Sequence, residues 1–101
     1  NMPCTIDATN YLISHNILFG PAKAANAGGV MVSGFEMSQN SMRYAWSFEE
    51  VDEKLKTQME NIFLEVIDCA THYGNKYNTV LGANISGFKK VASAMLSQGV
   101  C

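Results

Sequence analysis

The sequence predicts an α/β chain that is helical over most of its length, with one short strand. Three observations lead there. Apolar residues recur at helical spacing in three separate stretches, between Ala8 and Leu12, Val51 and Tyr73, and Ile85 and Leu96. One continuous apolar run, Ile17-Leu18-Phe19, is bounded by Asn16 and by Gly20-Pro21, as a buried parallel strand would be. A small-residue segment, Ala22-Lys23-Ala24-Ala25-Asn26-Ala27-Gly28-Gly29, then leads into a helix. Helix, strand, glycine-containing loop and helix is the order of a doubly wound sheet, where ligands lie at the carboxyl ends of strands.

In chain order, Thr5 caps a first helix, and Asp7 suits the positive end of its dipole. His15-Asn16 is its exit, and no base or nucleophile pairs with His15. Asn-Ala-Gly-Gly reads as a turn opening a helix from about Gly28 towards Ala45. Two glycines there allow close approach and leave backbone N–H groups for an anion or a carbonyl. Asn26 carries both donor and acceptor, and Ser33 lies on the same face one turn beyond Gly29. The chemistry is therefore expected between Asn26 and Ser33, although a packing turn explains the same glycines. Lys23 reads as a solvated or capping lysine.

Ser47 and Glu50 form a capping box that starts a packing helix of about 25 residues. Val51, Leu55, Met59, Ile62, Phe63, Val66 and Tyr73 make its apolar face, and its acids are too scattered for a catalytic pair. Gly74-Asn75-Lys76-Tyr77-Asn78 breaks it. The last helix carries Ile85, Phe88, Val91, Ala92, Met95 and Leu96 on one face and stops at Gly99. Gly82-Ala83-Asn84-Ile85-Ser86-Gly87 places small residues where another backbone can pass. It lacks the spacing of a dinucleotide fingerprint.

Composition narrows the function classes. With 101 residues the chain is one small domain or part of a larger one. Seven basic and nine acidic residues give a net charge of −2, with no basic excess for nucleic acid. No apolar run approaches the roughly 20 residues of a membrane span. Cys4, Cys69 and Cys101 lack a CxxC spacing and read as reduced thiols in a cytoplasmic protein, and no metal site is expected around His15 or His72. The opening Asn1-Met2-Pro3 is expected to reflect a trimmed product.

Four blocks in register resemble the carboxyl-terminal part of hexameric glutamate dehydrogenase. They are Asn1-Met2-Pro3 with Thr5; Pro21 through Val30; Ser33-Gly34-Phe35-Glu36-Met37-Ser38-Gln39-Asn40-Ser41; and Gly82 through Phe88 with Ala94-Met95. Ala22 and Tyr44 are small departures from the family pattern. The resemblance implies the end of a Rossmann-like dinucleotide-binding domain with the first long helix over residues 1–45. It implies helices packing back on a substrate domain over 46–101. It also implies reversible oxidative deamination of L-glutamate to 2-oxoglutarate and ammonia with NADP or NAD, in a homohexamer. On the same ground Asn1 and Asn26 are cofactor-binding residues, while Val30 and Ser33 bind substrate. The family's catalytic lysine and aspartate lie upstream of Asn1, so no catalytic residue is assigned and the chain alone is expected to be inactive. The rivals are a leucine, valine or phenylalanine dehydrogenase, and a self-standing helical interaction module.

Overall fold

The computed structural model describes residues 1–99 and is helical throughout its regular structure. Helix α1 spans Ile6–Ser14, α2 Ala22–Ala25, α3 Ala27–Met42, α4 Phe48–Tyr73 and α5 Thr79–Gln98. The caps follow the sequence. The Thr5 hydroxyl accepts from the Ala8 N–H at 3.2 Å. At Ser47 both halves of the capping box are made: its hydroxyl accepts from the Glu50 N–H, and Glu50 accepts from the Ser47 N–H at 2.7 Å. Gly99 closes α5 at a φ of 86°. His15 caps α1, with Nδ1 2.9 Å from the Tyr11 carbonyl and its ring stacked on Tyr11, so its role is structural.

Three sequence expectations are corrected here. Ile17–Phe19 is not a strand, and no strand exists among the described residues. A strand requires a neighbouring backbone to complete its ladder. Here the Phe19 carbonyl instead accepts from the Thr79 hydroxyl at 2.9 Å. Leu18, expected to be buried, is 53% exposed. The Asn-Ala-Gly-Gly segment is not an open turn either. Asn26 has helical dihedrals of −75° and −11°, so α2 passes almost directly into α3. The Gly29 N–H already donates to the Asn26 carbonyl at 3.3 Å, which removes it from the expected anion cradle. Helix α3 also stops at Met42, short of Ala45, where Arg43 turns left-handed at a φ of 55°.

The main packing contact is α4 against α5, with α3 lying on α4. The core sits at the α4–α5 crossing and consists of Val66, Cys69, Ala70, Thr79 and Gly82. Gly82 is needed there: a Cβ on it would lie 2.1 Å from the Val66 carbonyl oxygen. The small residues of this block do admit a neighbouring backbone. Gly28 has a similar, looser use, its position facing Leu55 and Met59 of α4 at 3.4–3.5 Å. The α3–α4 corner is fixed by the Trp46 N–H donating to Gln39 at 2.7 Å, and by Phe35 edge-on to the Trp46 ring.

The core is small for the chain. The accessible surface is 7495 Å², against about 5,600 Å² for a compact monomer of 11.0 kDa. The radius of gyration is 16.3 Å, against about 13 Å for this length. Phe88, Val91, Met95 and Leu96 of the expected α5 face stay exposed. Cys4 is exposed and Cys69 buried, and they are not joined to one another; Cys101 lies outside the described residues.

Candidate functional site

Asn26, Val30 and Ser33 follow one another at spacings of four and three, which places them on one stripe of α3. From Asn26 to Ser33 the stripe rises about 10 Å. All three side chains are exposed, and Val30 is 77% exposed despite being apolar. Gly29 beside them has no heavy atom within 4 Å of its would-be Cβ. Gly28 turns to the opposite side and meets α4. The paired glycines thus divide the work: Gly28 seats the helix, and Gly29 leaves space beside the exposed stripe.

Asn1 joins this stripe from the other end of the segment. Asn26 Nδ2 donates to Asn1 Oδ1 at 2.8 Å, across 25 residues. That bond uses one Asn26 donor hydrogen and one Asn1 acceptor. It leaves Asn26 Oδ1 as an acceptor and Asn1 Nδ2 as a donor on an exposed surface. A ligand carrying both donors and acceptors, such as a carboxamide or a hydroxyl, could bond to this pair, and the two side-chain amides carry no charge of their own.

The Ser33 hydroxyl donates to the Gly29 carbonyl at 3.1 Å. Its single proton is therefore engaged within the helix. Rotation about χ1 frees it, at a cost of about 0.5–1.5 kcal/mol for the bond given up. A bond to a carboxylate returns about 1.5–3 kcal/mol. Ser33 is thus a donor that an anionic group would capture and a neutral group would not. Val30, one turn before it, presents an apolar surface to whatever lies between the amide pair and the hydroxyl.

Three further residues belong beside these. Met37, 67% exposed, extends the same stripe one turn past Ser33. Lys23, read from the sequence as solvated or capping, is exposed and donates through Nζ to Asn84 Oδ1. Asn84 belongs to the Gly82–Gly87 block and lies in the first turns of α5, so that block and the Asn26 segment adjoin in space. A cross-chain bond of this kind has no signature in local periodicity. Among the described residues no cluster of three or more His, Cys, Asp or Glu could hold a metal ion, and no helix is long and apolar enough to cross a membrane.

Comparison with known proteins gives a consistent result. The model of the Glutamate/Leucine/Phenylalanine/Valine dehydrogenase family matches residues 1–99. The NADP-specific glutamate dehydrogenase of Giardia intestinalis is 52% identical over 99 residues, which cover 98% of this chain and 22% of that protein. The NAD-specific glutamate dehydrogenase of Clostridium symbiosum is 52% identical over 101 residues, covering 99% of this chain and 22% of that one. The crystal structure of Plasmodium falciparum glutamate dehydrogenase superposes with a TM-score of 0.94 at 53% identity, over 100% of this chain and 22% of its own. The chain spans about a fifth of the length of the relatives it matches.

Proposed function

Because the chain belongs to the glutamate/leucine/phenylalanine/valine dehydrogenase family, we propose that it forms one wall of a cleft in which L-glutamate is oxidatively deaminated to 2-oxoglutarate and ammonia with NADP or NAD. The observation that carries this is the exposed stripe of Asn26, Val30 and Ser33, with Asn1 hydrogen-bonded to its first member. The two asparagines orient the nicotinamide end of the cofactor. Val30 keeps water from the path between the cofactor and the substrate α-carbon. Ser33 gives up its bond to the Gly29 carbonyl and donates to the distal carboxylate of the substrate. A nicotinamide held by Asn1 and Asn26 would supply the hydride acceptor for the substrate α-carbon. The charge-neutralising and proton-transferring groups of such a reaction are not among these residues.

In this reading residues 1–45 close a Rossmann-like dinucleotide-binding domain, and 46–101 pack back on the substrate domain. The boundary falls in the connection between α3 and α4. The whole enzyme is a cytoplasmic homohexamer, with no part for nucleic acid or membrane. Ser33 distinguishes glutamate from leucine, valine or phenylalanine, which carry no second carboxylate. Uncovered apolar faces on α5 fit a chain whose packing partners belong to the rest of such an enzyme.

The test is a chimera in which these residues replace the matching stretch of the Clostridium symbiosum enzyme, assayed against the four amino acids. Glutamate should be the preferred substrate. Preference for leucine, valine or phenylalanine would reject the dicarboxylate assignment.

A further inference from the structure

Three hydrogen bonds tie the segment before Asn26 to the α4–α5 connection and the start of α5, and they run in order. Asn75 Nδ2 donates to Asn16 Oδ1 at 3.0 Å, Thr79 Oγ1 donates to the Phe19 carbonyl at 2.9 Å, and Lys23 Nζ donates to Asn84 Oδ1. The partners are 59, 60 and 61 residues apart, so the two segments advance side by side. The middle rung is the best protected: Thr79 is 2% exposed, and Pro21, two residues after Phe19, is buried.

We propose that this ladder makes Thr79 and Asn84 positioning residues for Asn26, setting where its amide meets the cofactor. Helix α2 has four residues and no side-chain cap, and Asn26 is its last turn's cap. So short a helix does not hold its own place. The rungs at Phe19 and Lys23 fix both its approach and its first turn. Asn26 also opens α3, which is seated through Gly28 on Leu55 and Met59 of α4; Asn26 lies before that seat, towards the rungs, and Val30 and Ser33 lie beyond it. Cutting the rungs therefore disturbs the Asn26 end of the stripe and spares the Ser33 end. The positioning role rests on the dehydrogenase reading above.

Two measurements test it. In the 101-residue chain without cofactor, the Asn26 side-chain amide resonances should shift in Asn84→Leu and return to their original place in Asn84→Asp, which keeps the acceptor oxygen. In the chimera, Thr79→Val and Asn84→Leu should each raise the KM for the nicotinamide cofactor roughly two- to tenfold. The KM for glutamate should stay within twofold, and Asn84→Asp should restore the cofactor KM. An active chimera in which both variants leave the cofactor KM unchanged, or raise both KM values equally, overturns the positioning role alone. So does an unmoved Asn26 amide in Asn84→Leu, a readout that survives if Thr79→Val fails to fold. A parent chimera that folds but has no activity on glutamate overturns the dehydrogenase reading and the positioning role with it.

Discussion

Substituting Gly82 and Gly87 by alanine separates the two things a helical glycine can do. Both lie in the interior of α5. Helix propensity alone favours alanine at each by about 1 kcal/mol. At Gly87 nothing lies within 4 Å of the new Cβ, so the propensity gain stands. At Gly82 the new Cβ meets the Val66 carbonyl oxygen at 2.1 Å, and the Val66 carbonyl carbon and Ala70 Cβ at 3.0 Å. Two of these atoms are backbone and the third is fixed to it, so no side chain can swing aside. The helices must separate by about 1 Å, enough to forfeit a quarter to a half of the dispersion at each contact they break. The contacts broken are those of the small core, Val66, Cys69, Ala70 and Thr79. Overpacking costs about 1–3 kcal/mol and acts here near its upper end. The net expectation is about 2 kcal/mol of destabilisation for Gly82→Ala and about 1 kcal/mol of stabilisation for Gly87→Ala. In thermal unfolding followed by circular dichroism, the first should lower Tm by roughly 10 °C and the second raise it by roughly 5 °C. A Gly82→Ala protein as stable as Gly87→Ala would refute the close α4–α5 crossing.

Two other perturbations address the same frame. Ser47→Ala removes the hydroxyl that accepts from the Glu50 N–H and should cost about 1 kcal/mol, with faster amide exchange in the first turn of α4. Unchanged exchange at Glu50 would deny the cap an energetic role. Glu65 accepts from Lys90 at 3.1 Å and from the Ser86 hydroxyl at 3.0 Å, and these two bonds hold its carboxyl below the ordinary value of 4.5. A depressed carboxyl pKa adds stability above the unfolded-state value and loses it as pH falls through the folded value. Glu65→Gln should therefore be less stable than the parent near neutral pH, by under about 1 kcal/mol for so exposed a pair. The difference should fade as pH drops through the lowered folded-state value and shrink with added salt. A difference that persists in acid would contradict the ion-pair origin.

What the sequence makes legible is local. Thr5, Ser47 and Gly99 declare their helix ends because capping needs particular side chains at fixed offsets, and the structure uses all three. The apolar spacing of Val51, Leu55, Met59, Ile62 and Val66 likewise marks the inward side of α4, although Phe63 and Tyr73, expected on the same face, are exposed, and the break at Gly74–Asn78 falls between helices. The misreadings come from segments whose state depends on what lies beside them. Ile17–Phe19 has strand composition, but pairing needs a second backbone, and here it meets the Thr79 hydroxyl instead. Asn-Ala-Gly-Gly has turn composition, but helices on either side carry the backbone through it. The candidate site divides the same way. The spacing of Asn26, Val30 and Ser33 is readable as one helix face. The Asn1–Asn26 bond and the ladder from Asn75 to Asn84 are not readable, because nothing in local periodicity links residues 25 or 60 positions apart.

The central claim is that the stripe on α3 holds a dicarboxylate through Ser33, and Ser33→Ala in the chimera tests it most directly. The bond to a carboxylate, less the Gly29 bond surrendered to make it, leaves about 1–2 kcal/mol. The account predicts that kcat/KM for glutamate falls about five- to thirtyfold while the cofactor KM holds. A glutamate KM and kcat both unchanged by the loss of that hydroxyl would contradict it.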